Sequence, residues 1–210
     1  MTSVARRGVC LVLAAPSGAG KTAITDALLA SEPELRRSIS VTTRAPRASE
    51  VHGVHYHFLS EREFEAALAA DALLEWARVL RGSHAYGTPR APVEAALAAG
   101  QDLVFDIDWQ GHRALREKLP GDVVSVFILP PDLRELEIRL RQRAGDAEAE
   151  IRRRMEVAHE EISHWPEFDH VVVNDDLATA TATVRAILHA ARVATGRQVG
   201  LAEFVVRLMP

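Results

Sequence analysis

The chain has 210 residues, 48% of them hydrophobic, a formal net charge of −4 and one cysteine. That length suits one domain with small inserts, and no stretch approaches the roughly 18 consecutive apolar residues of a membrane span. The mildly acidic balance argues against general nucleic-acid binding, so neither nucleic acid nor membrane is expected as a partner. Cys10 lies in an apolar run and has no second cysteine to pair with, which fits core packing and a reducing, cytoplasmic setting.

The N-terminal arginines precede an apolar run, as in a secretory signal. That run is short, though, and leads into a glycine-rich turn rather than a cleavage site, so "VCLVLA" reads as a buried strand. The turn itself is "APSGAGKT". In the pattern G-x-x-x-x-G-K-[ST], backbone N–H groups at a helix N-terminus wrap nucleotide phosphates. Here Ser17, Gly18, Ala19 and Gly20 supply the wrap, Lys21 the cation for the β/γ-phosphates, and Thr22 a hydroxyl for magnesium. Ala15 stands where the pattern has its first glycine, which is acceptable if that position needs a small side chain but no positive φ. Apart from Lys21 and Lys118, every basic side chain is arginine. A lysine kept in the turn suits a space too narrow for a guanidinium, whereas Lys118 reads as a solvated charge. An ordinary strand-to-helix turn with its lysine in solvent is the alternative.

"KTAITDALLA" has helical apolar spacing. Residues 38–92 break the strand–helix alternation and read as a small β-rich insert, with short strands in "SISVTT" and "VHYHFL" and a helix opened by a capping box from Ser60 to Glu63. Within it, Arg44 and Arg47 of "TTRAPR", with Tyr56 and Tyr86, suit a phosphate cradle. His52, His55 and His57 suggest a metal less than the polar face of an edge strand. "DLVFDID" is a strand ending in Asp106, with Asp108 two residues on and on the same side. One carboxylate suits magnesium through water and the other a substrate proton, against the alternative that they cap "WQGHRAL". "VVSVFIL" and "HVVVN" are further strands. In "PPDLRELEIRLRQR", Asp132 and Glu135 repeat the capping box. Residues 139–156 are helical, arginine-dense and poor in large apolar groups, and read as a mobile lid. A long helix starts at the acidic caps of "NDDLATATATVRAILHAARVATG" and ends at its glycine, and the tail "LAEFVVRLMP" docks on the core or on a partner. The fold class is therefore α/β, a parallel sheet flanked by helices with a β-rich insert and a helical lid.

The motifs "APSGAGKT", "SVTTRAPRASEVHGVHYHF", "LLEWA", "YGTPRAPV", "DIDWQG", "FILPP", "RLRQR…IRRRM" and "VVVNDD" appear in the order found in guanylate kinases, and the chain resembles that family over roughly residues 8 to 195. The resemblance implies a P-loop core (residues 1–37 and 93–210, with the lid at about 139–156) and a GMP-binding insert (38–92). It implies transfer of the γ-phosphate of MgATP to GMP or dGMP, with Mg2+ as cofactor held through Thr22 and Asp106. It assigns the GMP phosphate to Arg44, Arg47, Tyr56 and Tyr86, and the guanine to Ser40, Glu75, Thr88 and Asp108, with Asp106 on the same side. Arg139, Arg143 and Arg154 are implied as lid arginines on the ATP phosphates, catalytic together with Lys21 and Arg44, and Asn174 as the adenine contact. An Ala-Pro-Ser-Gly start also occurs in that family. Three departures stand out: "RVLRGSHAYGT" is about two residues longer than usual, Ala85 replaces a common tyrosine, and the lid reads "RAG" where arginine is often followed directly by glycine. A sugar-phosphate kinase on the same scaffold would have no reason to keep Glu75, Thr88 and Asp108 together. A non-catalytic peptide-binding module would not need Lys21-Thr22 or the lid arginines. Monomer and homo-oligomer are both left open.

Overall fold

Every residue from Val9 to Ala14 is buried, because β1 (Cys10–Ala14) is the central strand of a parallel sheet covered on both faces. The computed structural model of the chain describes residues 4–79, 84–144 and 148–209. From β1 the chain enters α1 (Lys21–Ser31) and returns through β2 (Leu35–Arg37). It then builds β3 (Val41–Thr42), β4 (His57–Phe58), α2 (Glu61–Ala69), β5 (Leu73–Val79) and β6 (His84–Pro89). It continues through α3 (Arg90–Ala98), β7 (Asp102–Asp106), α4 (Trp109–Lys118), β8 (Val123–Leu129), α5 (Leu133–Ala144) and α6 (Glu148–Ser163). The last elements are β9 (His170–Val173), α7 (Leu177–Arg192) and α8 (Leu201–Val206).

The main sheet runs β2-β7-β1-β8-β9, all parallel. Both neighbours of β1 come later in the chain, so connections diverge at its C-terminal edge and open a crevice there. Alternation along β1 divides the core in two. Leu11 and Leu13 pack with Ile24, Leu28, Val184 and Leu188 beneath α1 and α7, while Cys10 and Val12 pack with Val93, Leu97, Leu115 and Phe127 beneath α3 and α4. Burial pushes the Cys10 thiol up to about 12, which leaves it inert as a nucleophile. The second sheet, β4-β3-β6-β5, has its own small core of Val41, Phe64, Leu73 and Ala85. Ala85 is fully buried there, so the position of the missing tyrosine is a packing site. Leu74, next along β5, points the other way into the main core.

The Ser60 capping box is complete: Glu63 N–H donates to Ser60 Oγ at 3.3 Å and Ser60 N–H to Glu63 Oε2 at 2.7 Å. Asp132 accepts the Glu135 N–H at 2.7 Å, but the Glu135 carboxylate takes Arg139 Nε at 2.7 Å, so only half of that box forms. The helix expected to run to Gly196 stops at Arg192. Gln198 Nε2 donates to the Arg192 carbonyl at 2.6 Å, and the Arg192 guanidinium is fixed on Asp102 and Glu32 at 2.7 Å each. Nor is Lys118 a free charge. Its Nζ donates to Asp71 and to the Leu73 carbonyl, both at 2.8 Å, and Asp71 also takes Arg90 at 2.7 Å. A left-handed φ of 48° turns Asp71 towards both cations, which ties α3 and α4 to the base of the insert.

Residues 139–156 fall on α5 and α6. Few large apolar groups are needed to pair these helices, because Leu136, Leu140 and Ala158 form a buried cluster with Met155 against it. Buried Arg197 donates to the Gly8 and Asp122 carbonyls at 2.8 and 3.0 Å, and Gly200 N–H to the Ala5 carbonyl at 3.0 Å, so the segment before α8 is fixed to the core, while α8 itself buries none of its residues.

Candidate active site

Gly20 caps α1 with no side-chain hydrogen bond and no acidic residue in the first turn, which leaves the first N–H groups of the helix to an anion. Gly18 and Gly20 have φ of 93° and 97°, a conformation glycine adopts without strain. Both are also crowded. A Cβ on Gly18 would press on Leu136 and Leu140 of α5, and one on Gly20 would collide with the Asn174 amide. Ala15 needs no such freedom: among the described residues Asp71 is the only non-glycine with positive φ. The loop opens onto a cleft of about 550 Å³ lined by Ser17, Gly18, Lys21, Thr22, Arg139 and Glu161, among others.

Lys21 Nζ lies 2.5 Å from Asp106, which joins the loop to the end of β7. Arg139 lines the cleft and reaches the Asn174 carbonyl at 3.4 Å. Arg154 sits farther along α6, 3.2 Å from Glu150, and is not among the residues lining the cleft. The side chain of Arg143 lies outside the described residues. Asn174 is buried, and its Nδ2 donates to the Ala19 carbonyl at 2.7 Å, so in this structure its amide props up the loop. Glu161 carries no sequence signal of this kind, yet its Oε2 accepts the Ser17 N–H at 3.3 Å.

Across the crevice, Arg44 pairs with Glu50 at 2.7 Å and lies over Tyr56 and Phe58, 5.6 and 6.0 Å from the ring centroids. Glu50 and then Tyr86 hold the Arg44 guanidinium above the ordinary arginine range, and the same pairing draws Glu50 down to about 2. Tyr56 and Tyr86 meet edge to face at 6.0 Å. Arg47 is exposed and donates its backbone N–H to Glu50 at 2.7 Å. Ser40, Tyr56 and Asp106 share a smaller cleft of about 120 Å³. The residue the sequence motifs missed here is Glu50, an acidic group in a polar loop with no spacing to mark it. Of the three histidines, His55 Nδ1 accepts the Val51 N–H and His52 Nδ1 the Phe58 N–H. No cluster of three or more metal-binding side chains occurs among the described residues.

Thr88 is fully buried and donates Oγ1 to Glu75 Oε1 at 2.6 Å. Burial raises the Glu75 carboxyl, the Thr88 bond opposes that, and the nearby Asp108 charge adds to it. Gly111 makes the space: a Cβ there would stand 3.4 Å from Glu75 Oε2 and 3.2 Å from Ile107 Cβ. Asp108 Oδ1 accepts the Gly111 N–H at 2.8 Å, so Asp108 does cap α4, while the residue itself stays exposed.

A phosphate loop on the central strand of a parallel sheet, facing an arginine–tyrosine group and a buried carboxylate–hydroxyl pair on a separate sheet, defines a P-loop phosphotransferase of the α/β class. Sequence comparison narrows the class. The family model described as guanylate kinase matches residues 7–191, and the chain belongs to the guanylate kinase family. It is 62% identical over 205 residues to a guanylate kinase of Gluconobacter oxydans, covering 98% of each chain. With a guanylate kinase of Rhodospirillum rubrum it shares 56% identity over 98% of this chain and 93% of the relative. The crystal structure of guanylate kinase from Anaplasma phagocytophilum superposes with a TM-score of 0.77 at 35% identity, covering 99% and 98%. No helix among the described residues is long and apolar enough to cross a membrane.

Proposed function

We propose that the chain transfers the γ-phosphate of ATP directly and in line to the phosphate of GMP, giving ADP and GDP, with the loop as donor site and the insert as acceptor site. The observation that carries the acceptor assignment is the Thr88–Glu75 pair beside Asp108. Guanine's Watson–Crick edge has N1–H and N2–H₂ donors next to the O6 acceptor. Glu75 and Asp108 accept those protons, with Ser40 beside the base, and Thr88 faces O6. Adenine reverses the pattern and leaves a buried carboxylate unpaired, at a cost of about 1–3 kcal/mol.

Arg44, fixed by Glu50 and stacked on Tyr56, holds the GMP phosphate together with Arg47 and Tyr86. This pre-orders a charge-assisted clamp. The backbone of Ser17, Gly18, Ala19 and Gly20 holds the ATP phosphates, and Lys21 and Arg139 offset charge on the transferring group, joined by Arg143 and Arg154 when α5 and α6 close as a lid. Asn174 serves the nucleotide by shaping the loop that faces it. The GMP phosphate is already an oxygen nucleophile at neutral pH, so no general base is needed. The Thr22 hydroxyl and the Asp106 carboxylate are hard oxygen donors of the kind Mg2+ takes; they are the residues that would hold it. When bound, the ion supplies charge neutralisation at the β- and γ-phosphates. The setting proposed is the cytoplasm.

ADP production with ATP and GMP, AMP, UMP or ribose phosphate as acceptor tests the assignment. Turnover is expected with GMP and is at least about a hundredfold weaker with AMP; absence of GMP-dependent turnover refutes it. Glu75→Ala is expected to raise KM for GMP by tenfold or more and to shift KM for ATP by less than about twofold.

A further inference from the structure

Glu161 lies on α6 among the residues lining the phosphate cleft, beside Ser17, Lys21 and Arg139. Its carboxylate accepts the Ser17 N–H at 3.3 Å. Pro16 has no N–H, so Ser17 provides the first backbone donor of the loop after Ala15. Burial raises the Glu161 carboxyl, Lys21 draws it down, and Asp108 and Glu160 push it up. The carboxylate therefore feels both the Lys21 and the Asp108 charge. Its helix is pinned nearby: the His164 ring stacks on Trp109 at 3.6 Å and 14°, and Arg113 holds Glu167 at 2.5 Å. The chain just past the end of α6 is thus tied to α4, and the Glu161 side-chain arm is the part that turns.

We propose that Glu161 is a specificity-determining gate at the terminal-phosphate end of the donor site, setting how strongly a nucleoside triphosphate is bound relative to a diphosphate. This rests on the loop being the ATP site. Glu161 shares the cleft with Lys21, the cation assigned to the β/γ-phosphates, and that is the end of the site from which the transferred group leaves. One N–H does not serve a carboxylate and a phosphate oxygen at once, and two anions at that distance repel. A terminal phosphate must turn Glu161 out to take Ser17, whereas a diphosphate held on the inner donors leaves the contact in place. After transfer, Glu161 regains Ser17 and the ADP state is favoured.

Calorimetric Kd values for MgATP and MgADP on the full chain and on Glu161→Gln test this, because glutamine keeps the acceptor and removes the charge. MgATP is expected to tighten about tenfold and MgADP by less than twofold. Equal changes for both nucleotides, or no tightening of MgATP, overturn the gate. A measurement on the unmutated chain stands independently of how the variant folds. The Ser17 amide resonance is expected to shift on titration with inorganic tripolyphosphate and to stay within a fraction of that shift with pyrophosphate; equal shifts overturn the gate. Lys21→Ala separates the two levels of the proposal. If it leaves both nucleotide affinities intact, the loop is not the ATP site, a different failure from an unchanged ATP:ADP ratio in Glu161→Gln.

Discussion

Gly20 is the position at which one added methyl does most harm. Its backbone is left-handed and its missing Cβ is the space taken by the Asn174 amide. Gly20→Ala is expected to destabilise by about 1–3 kcal/mol and to weaken ATP binding more than tenfold in a titration. Combining it with Asn174→Ala should recover part of the stability, since the collision is removed although the bond to Ala19 goes with it. Glu75 gives a second test. Its raised carboxyl must be ionised to accept guanine protons, so kcat/KM for GMP should fall on the acid side at a pH above the ordinary carboxylate value, while ATP binding holds. The site residues differ in how openly the chain declares them. Lys21 and Arg44 could be picked out because they sit in motifs with a chemical reason for their spacing, and Glu75 through the family resemblance that "LLEWA" helps to carry. Glu50 and Glu161 could not: Glu50 stands alone in its loop with no spacing to mark it, Glu161 is one of two adjacent glutamates on a helix, and only folding brings them to an arginine or to a backbone N–H.

Among the elements, strands β1, β7, β8 and β9 were legible as short β-branched runs, and the first turns of α2 and α7 as caps. β2 was not, because a three-residue strand with Leu35 buried and two exposed arginines has no alternation to recognise. The end of α7 was misplaced because Arg192 and Gln198 terminate it through tertiary contacts, whereas a glycine is only a local permission to stop. Lys118 looked like a surface charge because its partner, Asp71, is 47 residues away in the chain. These ion pairs at the base of the insert are largely exposed, so Asp71→Asn should leave the midpoint of a denaturant titration nearly unchanged. The larger effect is expected in KM for GMP, which should rise several-fold, because the pairs orient the insert on α3 and α4.

For the molecule as a whole, stability at acid pH should depend on a residue outside the site. His112 is buried and stacked on Phe168 at 4.1 Å, and neither ring nitrogen has a hydrogen-bond partner. Burial, joined by Arg116 and Arg113 against Asp169 and Glu167, lowers it from 6.5 to about 4. A base with a lowered folded value contributes stability that is complete above 6.5 and is lost as pH falls towards 4. The melting temperature should therefore drop across that window. His112→Leu should flatten the drop while leaving stability at pH 7 unchanged or slightly higher, since it removes two unsatisfied buried atoms.

The separate core of the second sheet has a kinetic consequence. Val41, Phe64, Leu73 and Ala85 are a small cluster beside the two that sandwich β1, and Leu74 is rooted in the larger body. A cluster of that size opens before the rest. In native-state hydrogen exchange, the amides of Thr42 and Gly87 should acquire deuterium through sub-global opening, while those of Leu11 to Leu13 wait for complete unfolding. A bound acceptor nucleotide should slow the first group and leave the second untouched, so the exchange map would divide the molecule into a frame that persists and a hand that opens and grips.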